Sequence, residues 1–242
     1  YGGGIYCESS SLTLDSLTLV NNTTHDYGGA LVIKNSSANI ENSFIQSNTA
    51  NYGGGGGIFS DNSNVNYYKV LFHDNESNHS GGGIVFNGGI SELSNITFYG
   101  NKTPVIGSAL HVTGSANVNI KNSILYMNEY FNADYDEEGT IGINNGEISI
   151  TYSNFSNNII SEQTGFSVVI DTSSNSNIHQ PPIFCNEQEI DFSLYINSFC
   201  VGTGENGVNM GAFDVGCEIQ TCDTSAVSSL SGQIDSPIEN NL

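Results

Sequence analysis

The 242-residue chain has no arginine, no tryptophan and only four lysines, at positions 34, 69, 102 and 121. Against them stand 25 Asp and Glu residues, for a formal net charge of −21. Affinity for nucleic acid comes mainly from Lys and Arg neutralising phosphates, and four scattered lysines build no basic patch. Nucleic acid and anionic lipid surfaces are therefore poor partners. The charge also serves solubility. No apolar run is long enough to span a bilayer, and no signal-peptide or lipidation pattern is present, so no membrane insertion is expected of this segment. The chain opens inside a glycine-rich motif, "YGGG", which reads as a mature or trimmed piece of a longer chain.

Cysteine is scarce and unevenly placed. Cys7 stands alone, whereas Cys185, Cys200, Cys217 and Cys222 fall within 38 residues. None of the four has Cys-x-x-Cys spacing and no histidine follows at zinc-finger distance, so a structural zinc site is a poor fit. Disulfides among these four, in an oxidising compartment, are the expectation, with three pairings open. Cys7, on an inward strand position, is expected to stay free as a small hydrophobe. The five histidines, His25, His73, His79, His111 and His179, are scattered and read as surface or turn residues.

What is abundant is repetition. An apolar residue three places before an asparagine recurs as Leu19/Asn22, Ile45/Asn48, Phe72/Asn75, Phe98/Asn101, Leu125/Asn128 and Phe155/Asn158. The asparagines are spaced by 26, 27, 26, 27 and 30 residues. A second anchor, the apolar residue after a pair of small residues, gives Ile5, Leu31, Ile58, Ile84 and Leu110, with Ile141 following after an insertion. Two independent anchors keep one period.

Within each unit, short stretches alternate at period two, as in Leu31 and Ile33, then Ala38 and Ile40, then Ser43 and Ile45. Alternation marks strands with one buried face, and nothing between them carries the i, i+3, i+4, i+7 pattern of a helix. Three strands per repeat, in register, predict a parallel β-helix whose coils stack at about 4.8 Å. A coil cannot bury its own apolar face, so the same positions must recur. Asn22, Asn48, Asn75, Asn101, Asn128 and Asn158 are expected to form a structural amide ladder at a turn, where Asn tolerates unusual backbone angles. The glycine pairs Gly28/Gly29 and Gly82/Gly83 are expected to permit a tight corner through positive φ.

The "GGAL/GGGI" and "FxxN" motifs, as in "GGGIVF" (81–86) and "FHDN" (72–75), resemble the repeats of chlamydial polymorphic outer-membrane autotransporters and related β-helix surface proteins. The resemblance covers roughly 1–158. The segment "PPIFCNEQEIDFSLYINSFCVGTGENGVNMGAFDVGC" (181–217) is similar to the closing segment of secreted, surface-sorted bacterial β-helix proteins. These likenesses imply an all-β, right-handed parallel β-helix of about six to seven coils over 1–180. They also imply a disulfide-containing cap over 181–222 that covers the open end, while the Ser-, Asn- and Asp-rich stretch 223–242, with little apolar content, reads as a linker or disordered tail. Right-handedness also follows from the bias of parallel connections.

Chemistry is harder to find. Lyases of β-helix fold need calcium held by aspartates and a basic residue to take the proton. No arginine exists here, and no acidic cluster surrounds Lys34 or Lys121. The richest acidic cluster, Asp134, Asp136, Glu137 and Glu138, offers oxygen donors suited to Ca²⁺ but lacks the EF-hand register. The eight Asn-x-Ser/Thr sequons are close to what chance supplies at this composition. No catalytic residue is assigned.

One surface feature stands out. The residue after each first-strand anchor points outward by alternation, and this column reads Tyr6, Val32, Phe59, Val85, His111 and Gly142. An exposed apolar strip marks a contact, here with another copy of the protein, an upstream segment or a glycan. The sequence thus reads as a secreted or cell-surface structural or adhesive β-helix without catalysis. The alternative is a carbohydrate-active enzyme or carbohydrate-binding module of pectate-lyase-like fold.

Overall fold

A computed structural model describes residues 2–131, 139–155, 160–162, 170–171 and 176–218. It is a parallel β-solenoid of about five turns. The sequence reading of six to seven coils counted the stretch after residue 131, much of which lies outside the described residues, as do Asn158 and the tail over 223–242.

Each coil contributes strands to four walls. The first wall stacks Ile5–Glu8, Leu31–Lys34, Ile58–Asp61 and Ile84–Asn87. The second stacks Ser11–Asp15, Ser37–Glu41, Asn64–Tyr68 and Ile90–Ser94. The long strands Leu110–Lys121 and Ile141–Thr151 run through both walls, and Ile160–Glu162 and Ile170–Asp171 pair onto the latter. Thr18–Val20, Phe44–Gln46, Leu71–His73, Thr97–Tyr99 and Ile124–Tyr126 form the third wall. A fourth, of two-residue strands such as Thr49–Ala50 and Glu76–Ser77, has too few residues per coil to show alternation in the sequence.

The registers reproduce both sequence anchors. Ile5, Leu31, Ile58, Ile84, Leu110 and Ile141 pair one above another along the first wall. Leu19, Ile45, Phe72, Phe98 and Leu125 do the same along the third. Both columns point inward, and from the second coil on their members are almost fully buried in one continuous core. Phe72 and Phe98 stack with ring centroids 4.7 Å apart. Among the described residues four buried hydroxyls, those of Ser60, Tyr67, Thr103 and Ser108, have no hydrogen-bond partner.

At the corner after the third wall the amides form a chain. Asn22, Asn48, Asn75 and Asn101 each donate from Nδ2 to the Oδ1 of the next coil's asparagine, ending on Asn128, at 2.9–3.0 Å. Each acceptor oxygen from Asn48 onward also takes the backbone N–H of the asparagine before it. The unusual backbone angle sits one residue earlier than expected, at Asn21, Ser47, Asp74, Gly100 and Met127, all with positive φ. That kink frees the following asparagine to turn its amide inward.

A second bracket, of serines, was not foreseen. Ser36 Oγ accepts from the Ser10 N–H and donates to the Lys34 carbonyl, and Ser63 Oγ repeats this for Ser36 and Asp61. Ser123 and Ser153 do the same one corner on. These hydroxyls satisfy backbone groups that the corners remove from the strand ladders.

Of the four paired glycines only Gly28 takes positive φ, at +65; in the other repeat it falls on Gly81, at +60, and not on Gly82 or Gly83. Gly29, Gly82 and Gly83 are there because an added Cβ would lie 2.0, 2.4 and 2.5 Å from a carbonyl oxygen of the next coil. Positive φ turns the corner; the missing side chain lets the coils close.

The described part of the C-terminal segment packs on a flank of the solenoid. Its strands Phe184–Asn186, Asp191–Tyr195 and Val215–Cys217 form a small sheet held by the Cys185–Cys217 disulfide. Phe184, Phe192, Leu194, Met210 and Phe213 pack on the outward side chains of the third wall, Phe44, Leu71, Tyr99, Ile124 and Tyr126. Polar ties complete the seam: Asn122 Oδ1 accepts from the Glu205 N–H at 2.7 Å, and Thr97 Oγ1 from the Ala212 N–H at 2.9 Å. Cys200, expected in a disulfide, is instead a buried free thiol receiving the Asn154 amide at 3.1 Å, and burial pushes its pKa up to about 11. Cys222 lies outside the described residues, and Cys7 is a buried free thiol.

Candidate functional site

The outward column of the first wall is in register as expected, Tyr6 beside Val32, Phe59, Val85 and His111. Its exposure differs from the expectation. Tyr6 is 44% exposed and Phe59 half-buried, but Val32, Val85 and His111 retain only 1%, 3% and 8% of their surface. The cover comes from the corner that precedes each first-wall strand, which folds out over the column before the chain enters the wall. Tyr27 lies against Phe59 with ring centroids 4.5 Å apart, and Ile106 and Gly54 close on their neighbours further along. An open strip thereby becomes a floor.

Above that floor runs a cleft. One part, of about 220 Å³, is lined by Tyr6, Tyr27, Val32, Lys34, Phe59 and Asp61. The next, of about 300 Å³, shares Tyr27, Phe59 and Asn87 with it and continues to His79, Ser80, Val85, His111, Thr113 and Asn144. One side is therefore aromatic and imidazole, and the other is the column that ends the first-wall strands, with amides at Asn87 and Asn144 and a hydroxyl at Thr113. The sequence reading missed Tyr27, His79, Asn87, Thr113 and Asn144. A signal for Tyr27 was present, since Tyr-Gly-Gly recurs at 1–3, 27–29 and 52–54.

His111 is the most unusual group in the cleft. Neither ring nitrogen has a hydrogen-bond partner among the described residues. Burial, with a smaller push from His79, lowers its pKa from the ordinary 6.5 to about 4, so the ring is neutral near pH 7. A neutral imidazole offers one donor and one acceptor. His73, on the third wall, is likewise shifted down by burial, opposed by Asp74, but it is spent on the seam: its Nε2 lies 3.1 Å from Asp74 and its ring meets the edge of Phe192.

No family model matches the chain, and neither a curated protein nor a solved structure matches it.

All four lysines are engaged within the protein. Lys34 pairs with Glu8 at 3.5 Å, Lys102 with Glu129 at 3.1 Å, Lys69 with Asp214 at 3.1 Å and Lys121 with Glu205 at 3.2 Å. The last two tie the C-terminal segment to the solenoid. Asp134, Asp136, Glu137 and Glu138, the calcium candidates, lie outside the described residues. Among the described residues no group of three or more His, Cys, Asp or Glu side chains is placed to hold a metal ion. No helix there is long and apolar enough to cross a membrane.

Proposed function

We propose that this chain is a secreted or cell-surface β-solenoid acting as a structural or adhesive element, a stalk, adhesin or assembly subunit, without catalysis. The observation that carries the reading is the cleft over the first wall, a continuous contact surface made of one repeated position in successive coils. The amide chain and the inward stacks give that surface a stiff support. The Cys185–Cys217 disulfide suits an oxidising, extracellular compartment. The repeat motifs and closing segment favour kinship with right-handed β-helix surface proteins of the autotransporter repeat type. Partners of matching character are a second copy of the chain or a glycan.

The second reading, a carbohydrate-active enzyme or carbohydrate-binding module, draws on the aromatic rings and the two imidazoles of the same cleft. Incubation with pectin, alginate and xylan separates the two. The first reading expects no reducing ends and no unsaturated uronate, and either product would sink it. A Tyr6→Asp, Phe59→Asp double variant is expected to lose self-association in sedimentation, or adhesion to glycan-coated surfaces, while melting as the parent does. The Val85 position is unsuited to this test because a carboxylate there would be buried without a partner.

A further inference from the structure

The part of the cleft around His111 contains groups of a particular kind. Its lining has no carboxylate and no lysine. Besides Tyr27, the polar members are two imidazoles, two primary amides and two aliphatic hydroxyls, from His79, His111, Asn87, Asn144, Ser80 and Thr113. Imidazoles when neutral, amides and hydroxyls each both donate and accept hydrogen bonds. The Tyr27 and Phe59 rings line the same part of the cleft, over an apolar floor at Val85. A buried polar group without a partner costs stability, and His111 has two unpartnered nitrogens while more than nine-tenths buried. The fold alone does not use them.

We infer that the His111 cleft binds a neutral glycan chain. This rests on the reading of the first wall as a contact surface and assigns its ligand class. A pyranose ring presents an apolar C–H face, which suits Tyr27 and Phe59, and a belt of hydroxyls that each donate and accept. That belt matches the amides, hydroxyls and imidazoles of the lining. Charged ligands fit less well. An anionic chain approaches a protein of net charge −21, and a cation finds no carboxylate in this part of the cleft. The side chains of an apolar peptide segment would offer the amides, hydroxyls and imidazoles no partner. The continuation of the cleft past Tyr27 and Phe59 towards Val32 and Tyr6 gives room for a chain in place of a single sugar. A volume of about 300 Å³ for the His111 part is at the lower end of ordinary ligand sites.

The test titrates the protein with β-1,4-linked hexamers of glucose, mannose and xylose, with α-1,4-linked glucose hexamer, and with hexagalacturonate as the anionic control. Tyrosine fluorescence reports binding, since the chain has no tryptophan. At least one neutral hexamer is expected to bind, more tightly than hexagalacturonate. His111→Leu is expected to weaken it at least tenfold while the melting temperature holds or rises, because the substitution fills the space and removes two unpaired nitrogens. Should that variant fail to fold, Asn144→Ala on the half-exposed rim carries the same expected loss. Three results overturn the inference: no neutral hexamer bound at millimolar concentration, hexagalacturonate bound most tightly, or unchanged affinity in the folded variant. Cleavage of a bound neutral hexamer would leave the site standing and defeat the non-catalytic reading. Absence of binding with no cleavage would do the reverse.

Discussion

The first and third walls both carry apolar side chains on their outward faces, yet they end in different states. On the third wall, Phe44, Leu71, Ile124 and the Tyr99 ring meet Phe184, Phe192, Met210 and Phe213 of the C-terminal segment, and the face is closed. On the first wall, Val32, Val85 and His111 are buried without any contact from the C-terminal segment among the described residues of its core cluster, and a cleft remains above them. The difference shows how a solenoid handles a surplus of apolar outward positions. A distant segment of the same chain, itself stapled by a disulfide, seals one face and is tied to it by two ion pairs. The other keeps a shaped opening with polar groups to spare.

The comparison breaks most readily at the seam. Phe192→Ala empties a site that is 1% exposed and is expected to cost about 3–5 kcal/mol, read as a lower melting temperature with third-wall amides losing hydrogen-exchange protection first. First-wall amides losing protection first would mean that the two faces are not independent. Reduction of Cys185–Cys217, which closes a loop of sequence separation 32, is expected to remove about 3–4 kcal/mol from the C-terminal segment on the chain-entropy account. Mild thiol treatment followed by exchange mass spectrometry checks that the loss stays on the flank.

Acid sharpens the contrast from the other side. The folded pKa of His111 is about 4 against an ordinary 6.5, so below pH 6.5 the unfolded chain takes up a proton that the folded chain refuses. Its contribution is fully present above pH 6.5, declines as pH falls, and is lost by about pH 4, a total of about 3 kcal/mol. Urea midpoints measured across that window should fall less steeply in His111→Leu than in the parent; equal slopes would place the ring in water. His73 acts with the same sign on the closed face, so the corresponding His73 variant should flatten the curve as well. The smallest effect is expected at the seam's rim, where Lys121→Met removes an ion pair with Glu205 that is roughly half-exposed, for about 0.5 kcal/mol in urea unfolding.

The solenoid was legible because its cause is local and repeated. Two apolar columns at a spacing of 26 and 27 residues reappear as strand registers, Ile5 over Leu31 and Ile45 over Phe72. The amide chain was legible for the same reason. The flank was not, because the outward Phe44, Leu71 and Ile124 find their partners more than fifty residues away, in a segment with no period to align. The assignment of Cys200 to a disulfide failed because proximity in sequence ignored its burial against Asn154. The candidate site was half legible: alternation placed Tyr6, Val32, Phe59, Val85 and His111 in one column, but nothing in alternation says that a preceding corner will fold over it. His111 was read as a surface residue, whereas it is 8% exposed beside the buried Val85.

The pairing of every lysine bears on how the protein meets proteases. A trypsin-like enzyme needs a lysine or arginine on a segment it can unfold locally into its own active site. Here it finds four targets, none after position 121, and so none in the flank segment. Each sits on a stacked strand or at its corner, with its ammonium group already held by a carboxylate. Cleavage at any of them requires several coils to part together, so digestion by such an enzyme reads the opening of the solenoid and not the mobility of a loop.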